Sequence, residues 1–477
     1  MARGGTLARP QAHAGERGLQ ALAKDFSGRL ILPGDPAYLM AALPNNARWS
    51  GVLPQAVAMC ADAADVQRCM TWVGDNRARF AVRSGGHNYA GFSTTPGLLI
   101  DVKAMNAVRL NLRDGTATVA GGANNQDVAT ALRATSFGIP SGRCATVGAA
   151  GLVLGGGWGF SATHAGLTCD SLLATDLALA DGTRLTANTR DADDVFWAAR
   201  GGGGGNFGVH TAFTFKLRDV GDITTFNLVW PPGKQIELLT ALQAVQQANP
   251  RSISTRTKAR PDDAGARPGR DTLLVETLGV YWGRERTLRE ILAPVFAILR
   301  PQAQSIYEMD YWRARDYLLT DDPNGFYEIR CNYVEHQLGA DALDAMLDWM
   351  TRWPGGSVRQ DNMGILFAVG GAVNDVPPDA TAYAHRTSNY IFEMEANWAP
   401  MDAPEVVQAQ QDWLRSYWQD MQRFLQPRSY VNFPNRDLPD WGRAYYAGNL
   451  ARLSQVKRKY DPGNLFQFAQ SIPLGTA

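Results

Sequence analysis

Residues 142–160 read GRCATVGAAGLVLGGGWGF, and their glycine density limits what the surrounding fold can be. Glycines at Gly142, Gly148, Gly151, Gly155 and Gly156 remove Cβ atoms from one short length of chain, so the backbone there can pass very close to a flat, bulky ligand. The thiol inside the run, Cys144, is by itself more often a small buried hydrophobe than a reactive group. Upstream, at residues 83–89, lies Arg83-Ser84-Gly85-Gly86-His87-Asn88-Tyr89, a glycine pair directly after a short apolar strand at 80–82. Consecutive backbone N–H groups freed of side chains form an anion nest suited to a pyrophosphate. The spacing is neither the GxGxxG that opens a dinucleotide-binding helix nor a Walker loop, and an isolated SGGH is most often a surface turn. Downstream, GGGGGNFGVH at 201–210, with Gly208 and Val209 at its exit, fits a flexible loop equally well.

The 477 residues carry 46 basic and 46 acidic side chains and no net formal charge. That balance argues against a protein that binds nucleic acid or an anionic membrane through bulk charge. With 45% hydrophobic residues the chain can bury a large core and is too long for a single compact one, so two domains are expected. Five widely spaced cysteines, none in a CxxC pair, predict neither a disulfide scaffold nor a structural zinc. His164, His210, His336 and His385 show no HxxxH or HExxH spacing, so no metal is expected. The first residues, MARGGTLARPQAHAGERG, are basic but precede no apolar run of signal-peptide length, and nothing elsewhere is long enough for a membrane span. The expectation is a cytoplasmic protein of bacterial type, without nucleic-acid or membrane partners. Its oligomeric state is left open.

Apolar spacing predicts a helix over 66–77, strands at 80–82, 98–102, 117–122 and 172–182, and a helix over 126–136. Up to about residue 219 this is an α+β domain. Beyond it, long amphipathic helices at 235–249, 285–299, 341–353 and 404–425 alternate with strands such as LLVETLGVYW and GILFAVGGAV, predicting a sheet covered by helices. The stretch ISTRTKARPDDAGARPGRD, from residue 253 to 271, is expected to be a solvated loop. After residue 430 a short strand-like YVNF precedes a helix at 442–459 that ends at DPGN.

In this order, VRSGGHNYAGFS (82–93), GRCATVGAAGLVLGGGWGF (142–160), DVFWAARGGGGGNFGVHTAFTF (194–215), YVNF (430–433) and YYAGNLARLSQVKRKYDPGNLFQFAQSIP (445–473) resemble the vanillyl-alcohol oxidase/p-cresol methylhydroxylase superfamily. The closer likeness is to its berberine-bridge-enzyme-like branch of FAD-linked oxidases, and it covers nearly the whole chain. The resemblance implies a bilobal α+β fold. Residues 1–219 and 430–477 would form the FAD-binding domain, with its core at about 50–219, and residues 220–429 a substrate domain with an antiparallel sheet covered by helices. It implies that His87 is joined to the 8α-methyl of the isoalloxazine and Cys144 to C6. Such attachment is chemically reasonable, since the 8α position can become an electrophile for imidazole and C6 can accept a thiolate. A single tether at His87 is the alternative. Tyr430 and Asn432 of YVNF would also face the flavin. Val147 stands where the branch carries a small residue in oxygen-reactive members, which implies an oxidase. Asp170 falls where the family has an Asp near the adenine-diphosphate side, although a plain turn carboxylate fits the spacing as well.

Flavin oxidation of an alcohol requires a base within reach of the hydroxyl proton. In Tyr390–Trp398, alternation puts Glu393 and Glu395 on one strand face with Ile391, opposite Phe392 and Met394. A carboxylate among apolar neighbours has a raised pKa, which suits a base. Glu393, five residues before Trp398, matches the family's glutamate base, and Tyr89 a tyrosine that helps hold substrate or base. The chain departs from its sugar-oxidising relatives at three places. Phe433 replaces the last tyrosine of YxNY, Trp158 replaces the tyrosine of GGGYG, and Leu152 replaces a histidine eight residues after the tethering cysteine. These changes make the ring surroundings more apolar and count against a copied carbohydrate-oxidase mechanism. The function expected is oxidation by O2 of an alcohol, a sugar or secondary-metabolite hydroxyl, or a related C–H/C–N group in a small molecule, giving H2O2. A dehydrogenase or oxidative cyclase with weak O2 use, and a flavin-binding protein whose catalysis has decayed, are the alternatives.

Overall fold

The computed structural model describes residues 16–262, 268–319, 325–358 and 363–475. The basic start of the chain, through residue 15, and the middle of the Pro- and Arg-rich stretch, 263–267, lie outside the described residues.

A four-stranded sheet opens the architecture, in the order Arg29–Ile31, Ala56–Met59, Leu98–Asp101, Phe80–Arg83. Its last three strands are parallel, because the helix Ala63–Asn76 carries the chain back between two of them. That helix starts where Asp62 accepts hydrogen bonds from the N–H groups of Ala64 and Asp65 and buries Val66, Cys69, Met70 and Val73. It stops at Arg77, whose φ of 47° cannot continue an α-helix. A second sheet is antiparallel, in the order Val108–Asn111, Thr116–Ala120, Val209–Lys216, Leu172–Ala178, Arg184–Asn188.

The third sheet has seven antiparallel strands: Ala303–Asp310, Asp222–Trp230, Leu273–Tyr281, Ile253–Pro261, Met363–Ala368, Tyr390–Trp398 and Phe326–Val334. The helices Gln235–Ala248, Ala340–Thr351 and Pro404–Met421 pack on one face of it, where Phe392 meets Tyr417 ring to ring. Alternation turns Phe367, Ile391 and Glu393 to the other face, against the glycine-rich segment. There the Phe367 ring lies 4.8 Å from that of Trp158, and Trp158 Nε1 donates to Ala368 O at 2.7 Å. The C-terminal stretch returns to the first two sheets, with fully buried Lys457 donating to Asn206 O and Phe466 O and pairing with Asp461 at 2.7 Å. The mixed α+β fold with a helix-covered antiparallel sheet is the class expected.

Three local expectations fail. Residues 253–261 are not a solvated loop but a central strand, with Thr255, Thr257 and Ala259 buried toward the helices and Arg256, Lys258 and Arg260 on the other face. The period of two outweighed the charge. Residues 430–433 form a turn instead of a strand, closed by the Phe433 N–H on Tyr430 O at 2.9 Å. The turn brings the Tyr430 and Phe433 rings to 5.1 Å from each other. The helix expected over 442–459 is broken into Trp441–Tyr446 and Leu450–Tyr460, because Ala447 takes a positive φ of 46°. Among the described residues no helix is long and apolar enough to cross a membrane.

Candidate active site

The glycine runs meet around one cleft of about 410 Å³, within the range of sites for sizeable ligands. Its wall depends on two backbones in direct contact. A Cβ on Gly85 would collide with Gly148 N and Thr146 O, and a Cβ on Gly148 would collide with Ser84 Oγ and Gly85 N. Ser84 Oγ instead donates to Gly121 O at 2.8 Å, and Asn88 Oδ1 accepts from the N–H groups of Ala90 and Phe92, which folds the turn carrying His87 into the cleft. His87 Nε2 lies 2.9 Å from Thr146 Oγ1. Burial, with Lys103 and Arg143 nearby, lowers the His87 pKa to about 4 against the opposing Thr146 contact, so its imidazole is neutral at physiological pH. Cys144 and Val147 line the same cleft, as do Ser84, Gly85, Gly86, Asn88, Gly142, Gly148, Gly151 and Gly208. The Cys144 carbonyl is held by Asn125 Nδ2 at 2.8 Å.

Tyr430 and Asn432 also reach the cleft. The Tyr430 hydroxyl accepts from Gly157 N, Trp158 N and Asn432 Nδ2, each at 3.1 Å, while Asn432 Nδ2 also donates to Leu152 O at 2.9 Å. Burial raises the Tyr430 pKa to about 12 despite those donors, which suits a fixed strut better than a proton carrier.

Four expected cofactor contacts stand elsewhere. Arg83 is buried and spends its guanidinium on the carbonyls of Ala41, Ala42, Leu43 and Ser93, so it braces the segments beside the cleft without entering it. Gly155 and Gly156 are packing positions, where a Cβ would strike Asn432 and Tyr383 respectively. Val209 opens a strand and is buried in the core against the first sheet. Asp170 likewise has a structural place, paired through both oxygens with Arg386 at 2.8 and 2.9 Å and accepting from Leu167 N.

One end of the cleft is an aromatic box. Tyr89 packs on Tyr327 and Phe433, both at 5.4 Å, and Phe433 on Phe367 at 5.7 Å. Glu393 is 1% exposed and is not itself among the residues that line the cleft; its charge acts on Tyr89, and its Oε2 lacks a hydrogen-bond partner. Burial raises its pKa to about 7, opposed by Arg143 and Arg256. Tyr89 is pushed well above its ordinary value by burial and by the Glu393 charge. Arg143, Arg256 and Tyr327 were missed in the sequence. Arg143 lies inside a quoted motif, directly before Cys144, and Arg256 in the stretch read as a loop, where the alternation TRTKAR was the overlooked signal.

The FAD binding domain family matches residues 54–188, and the family described as berberine and berberine like matches residues 429–473. The chain is similar to the FAD-linked oxidoreductase YvdP of Bacillus subtilis (strain 168), with 31% identity over 457 residues covering 94% of this chain and 98% of that one. It is 26% identical to monolignol oxidoreductase AtBBE-like 13 of Arabidopsis thaliana, over 82% of this chain and 78% of the relative. Among solved structures, Physcomitrella patens BBE-like 1 superposes with a TM-score of 0.86 at 27% identity, over 96% of this chain and 100% of that one.

The cleft fits an FAD on its own geometry. Gly151 is exposed on the cleft wall, and a Cβ there would meet no protein atom within 4 Å, so the missing side chain leaves room for a ligand. The bare turns at Gly85–Gly86 and Gly204–Gly205 offer backbone donors of the kind a diphosphate needs.

Proposed function

Since the chain belongs to the berberine-bridge-enzyme-like family of FAD-linked oxidoreductases, we propose that it is an oxidase that converts an alcohol to a carbonyl compound with its flavin tethered at both His87 and Cys144. The observation that supports this is the meeting of His87, Cys144, Val147 and Tyr89 on one cleft, with the buried Glu393 behind it near enough for its charge to act on Tyr89. The FAD-binding lobe comprises residues 1–219 and 430–477, and residues 220–429 supply the substrate side.

When bound, FAD accepts a hydride from the substrate carbon and passes the two electrons to O2, which leaves as H2O2. The chain does the rest. Neutral His87 keeps a free electron pair for attachment, and Cys144 supplies the second anchor. The hydroxyl proton of the substrate goes to ionised Glu393, whose pKa near 7 matches a base working at neutral pH. Tyr89, whose pKa burial and the Glu393 charge raise too high for it to ionise, orients the hydroxyl by hydrogen bonding. Phe433, Phe367 and Trp158 keep water from the reacting carbon, and Val147 leaves room for O2 beside the ring.

Intact-protein mass spectrometry after acid denaturation, followed by peptide mapping, tests the tether. One FAD mass on the chain, found on both the His87 and the Cys144 peptides, is expected, with H2O2 released in air when an alcohol bleaches the flavin. A colourless, unmodified chain made in ample FAD would overturn the reading.

A further inference from the structure

We propose that the substrate carries a carboxylate and that Arg256 binds it, through its own N–H groups and the hydroxyl of Ser254. The inference rests on the oxidase reading above and names the substrate class of that site.

Strand Ile253–Pro261 sets Arg256 on the face of the seven-stranded sheet that looks toward the cleft. In register, the row runs Leu278, Arg256, Phe367, Ile391, and the adjacent row runs Glu276, Lys258, Ile365, Glu393. Three basic side chains share this face of the strand, and two of them are satisfied. Lys258 pairs with Glu276 at 3.2 Å and Arg260 with the same carboxylate at 2.8 Å. Arg256 has no ion pair or hydrogen bond to any described residue, and its Nε is sealed from solvent without an acceptor. Its guanidinium carbon lies 6.0 Å from the centre of the Phe367 ring. Arg143, which lines the cleft, approaches the same ring at 5.5 Å.

A guanidinium without an ionic partner and with its Nε cut off from water is costly, and here burial and the charge of Arg143 both lower its pKa. The charged groups facing it are Arg143, Glu393, Glu395 and Glu276. Glu276 is occupied by Lys258 and Arg260. Two residues before Arg256, on the same strand face, Ser254 is fully buried and its hydroxyl also lacks a partner. A planar fork of donors and one hydroxyl, beside Phe367 and Leu278, suits the two oxygens of a carboxylate on an apolar skeleton. A phosphate dianion would require more positive charge than this face leaves free.

The test uses the purified holoenzyme and needs no turnover. By isothermal titration, sodium benzoate is expected to bind at least about tenfold more tightly than benzamide, and Arg256→Met to remove that preference while leaving benzyl alcohol binding unchanged. Arg256→Lys should restore part of it, which separates charge recognition from a folding defect. Equal affinity for benzoate and benzamide, or benzoate binding untouched by Arg256→Met, would overturn the proposal. Anaerobic flavin bleaching by 4-(hydroxymethyl)benzoate and by its amide separates the two readings. Equal bleaching by both sinks the carboxylate proposal and leaves the oxidase standing. Arg256-dependent benzoate binding without bleaching by either, or by any of a broad alcohol panel, keeps the anion site and removes the oxidase.

Discussion

The base chemistry proposed above rests on Glu393, a carboxyl group whose Oε2 is buried without a partner. Burial holds its pKa at about 7 against the pull of Arg143 and Arg256, so the ionised base predominates only above that pH. The rate of anaerobic flavin reduction is therefore expected to rise with pH through about 7, and Glu393→Gln to lower it by about 10²–10⁴-fold and flatten the profile, as stopped-flow absorbance would record. Stability responds in the opposite sense. A carboxyl whose folded pKa lies above its unfolded value stabilises the fold at low pH and loses that contribution as pH rises through 7. Glu393→Gln should thus melt no lower than the parent protein at pH 8 while being nearly inactive. A variant that melted well below the parent there would point to a structural carboxylate.

At the scale of elements, the glycine turns separate two demands that look alike in sequence. Gly85 and Gly148 press backbone on backbone, so Gly148→Ala displaces the turn carrying His87 and should destabilise the protein even without flavin. Gly151 sits in the helix Ala149–Leu154 with open space where its Cβ would be. Gly151→Ala should leave the apoprotein as stable or raise it by up to about 1 kcal/mol, because alanine favours a helix, yet lower the fraction of protein carrying FAD. Apoprotein melting beside the ratio of flavin to protein absorbance distinguishes the two. The strand Ile253–Pro261 shows why an element can be misread: its three outward basic residues look like a solvated loop until pairing on both sides turns that face to the interior of the molecule.

Over the whole molecule, the lobes are joined by polar contacts: Asn46 Nδ2 donates to Tyr327 O, Arg48 pairs with Glu328 at 2.6 Å, and Asp170 grips Arg386. His210 and His385 lie deep in the fold, where burial lowers their pKa values to about 3 and about 4. Groups with depressed folded values contribute stability that is present above the unfolded value near 6.5 and lost as pH falls toward the folded one. Each should cost about 2 kcal/mol by pH 5, so the melting temperature is expected to fall steadily between pH 6.5 and 4. His210→Gln is expected to weaken that dependence in calorimetry. The sequence by itself determined the family, the α+β class and the FAD, because several long motifs in a fixed order carry a resemblance that no single glycine run, histidine or thiol carries alone. Only the tertiary structure decided that Arg83, Gly155, Gly156 and Val209 stand off the cleft, that YVNF is a turn, and that Arg256 faces inward. Those facts depend on which face of each element meets which neighbour, a property of packing between segments that the residue pattern of one segment does not state.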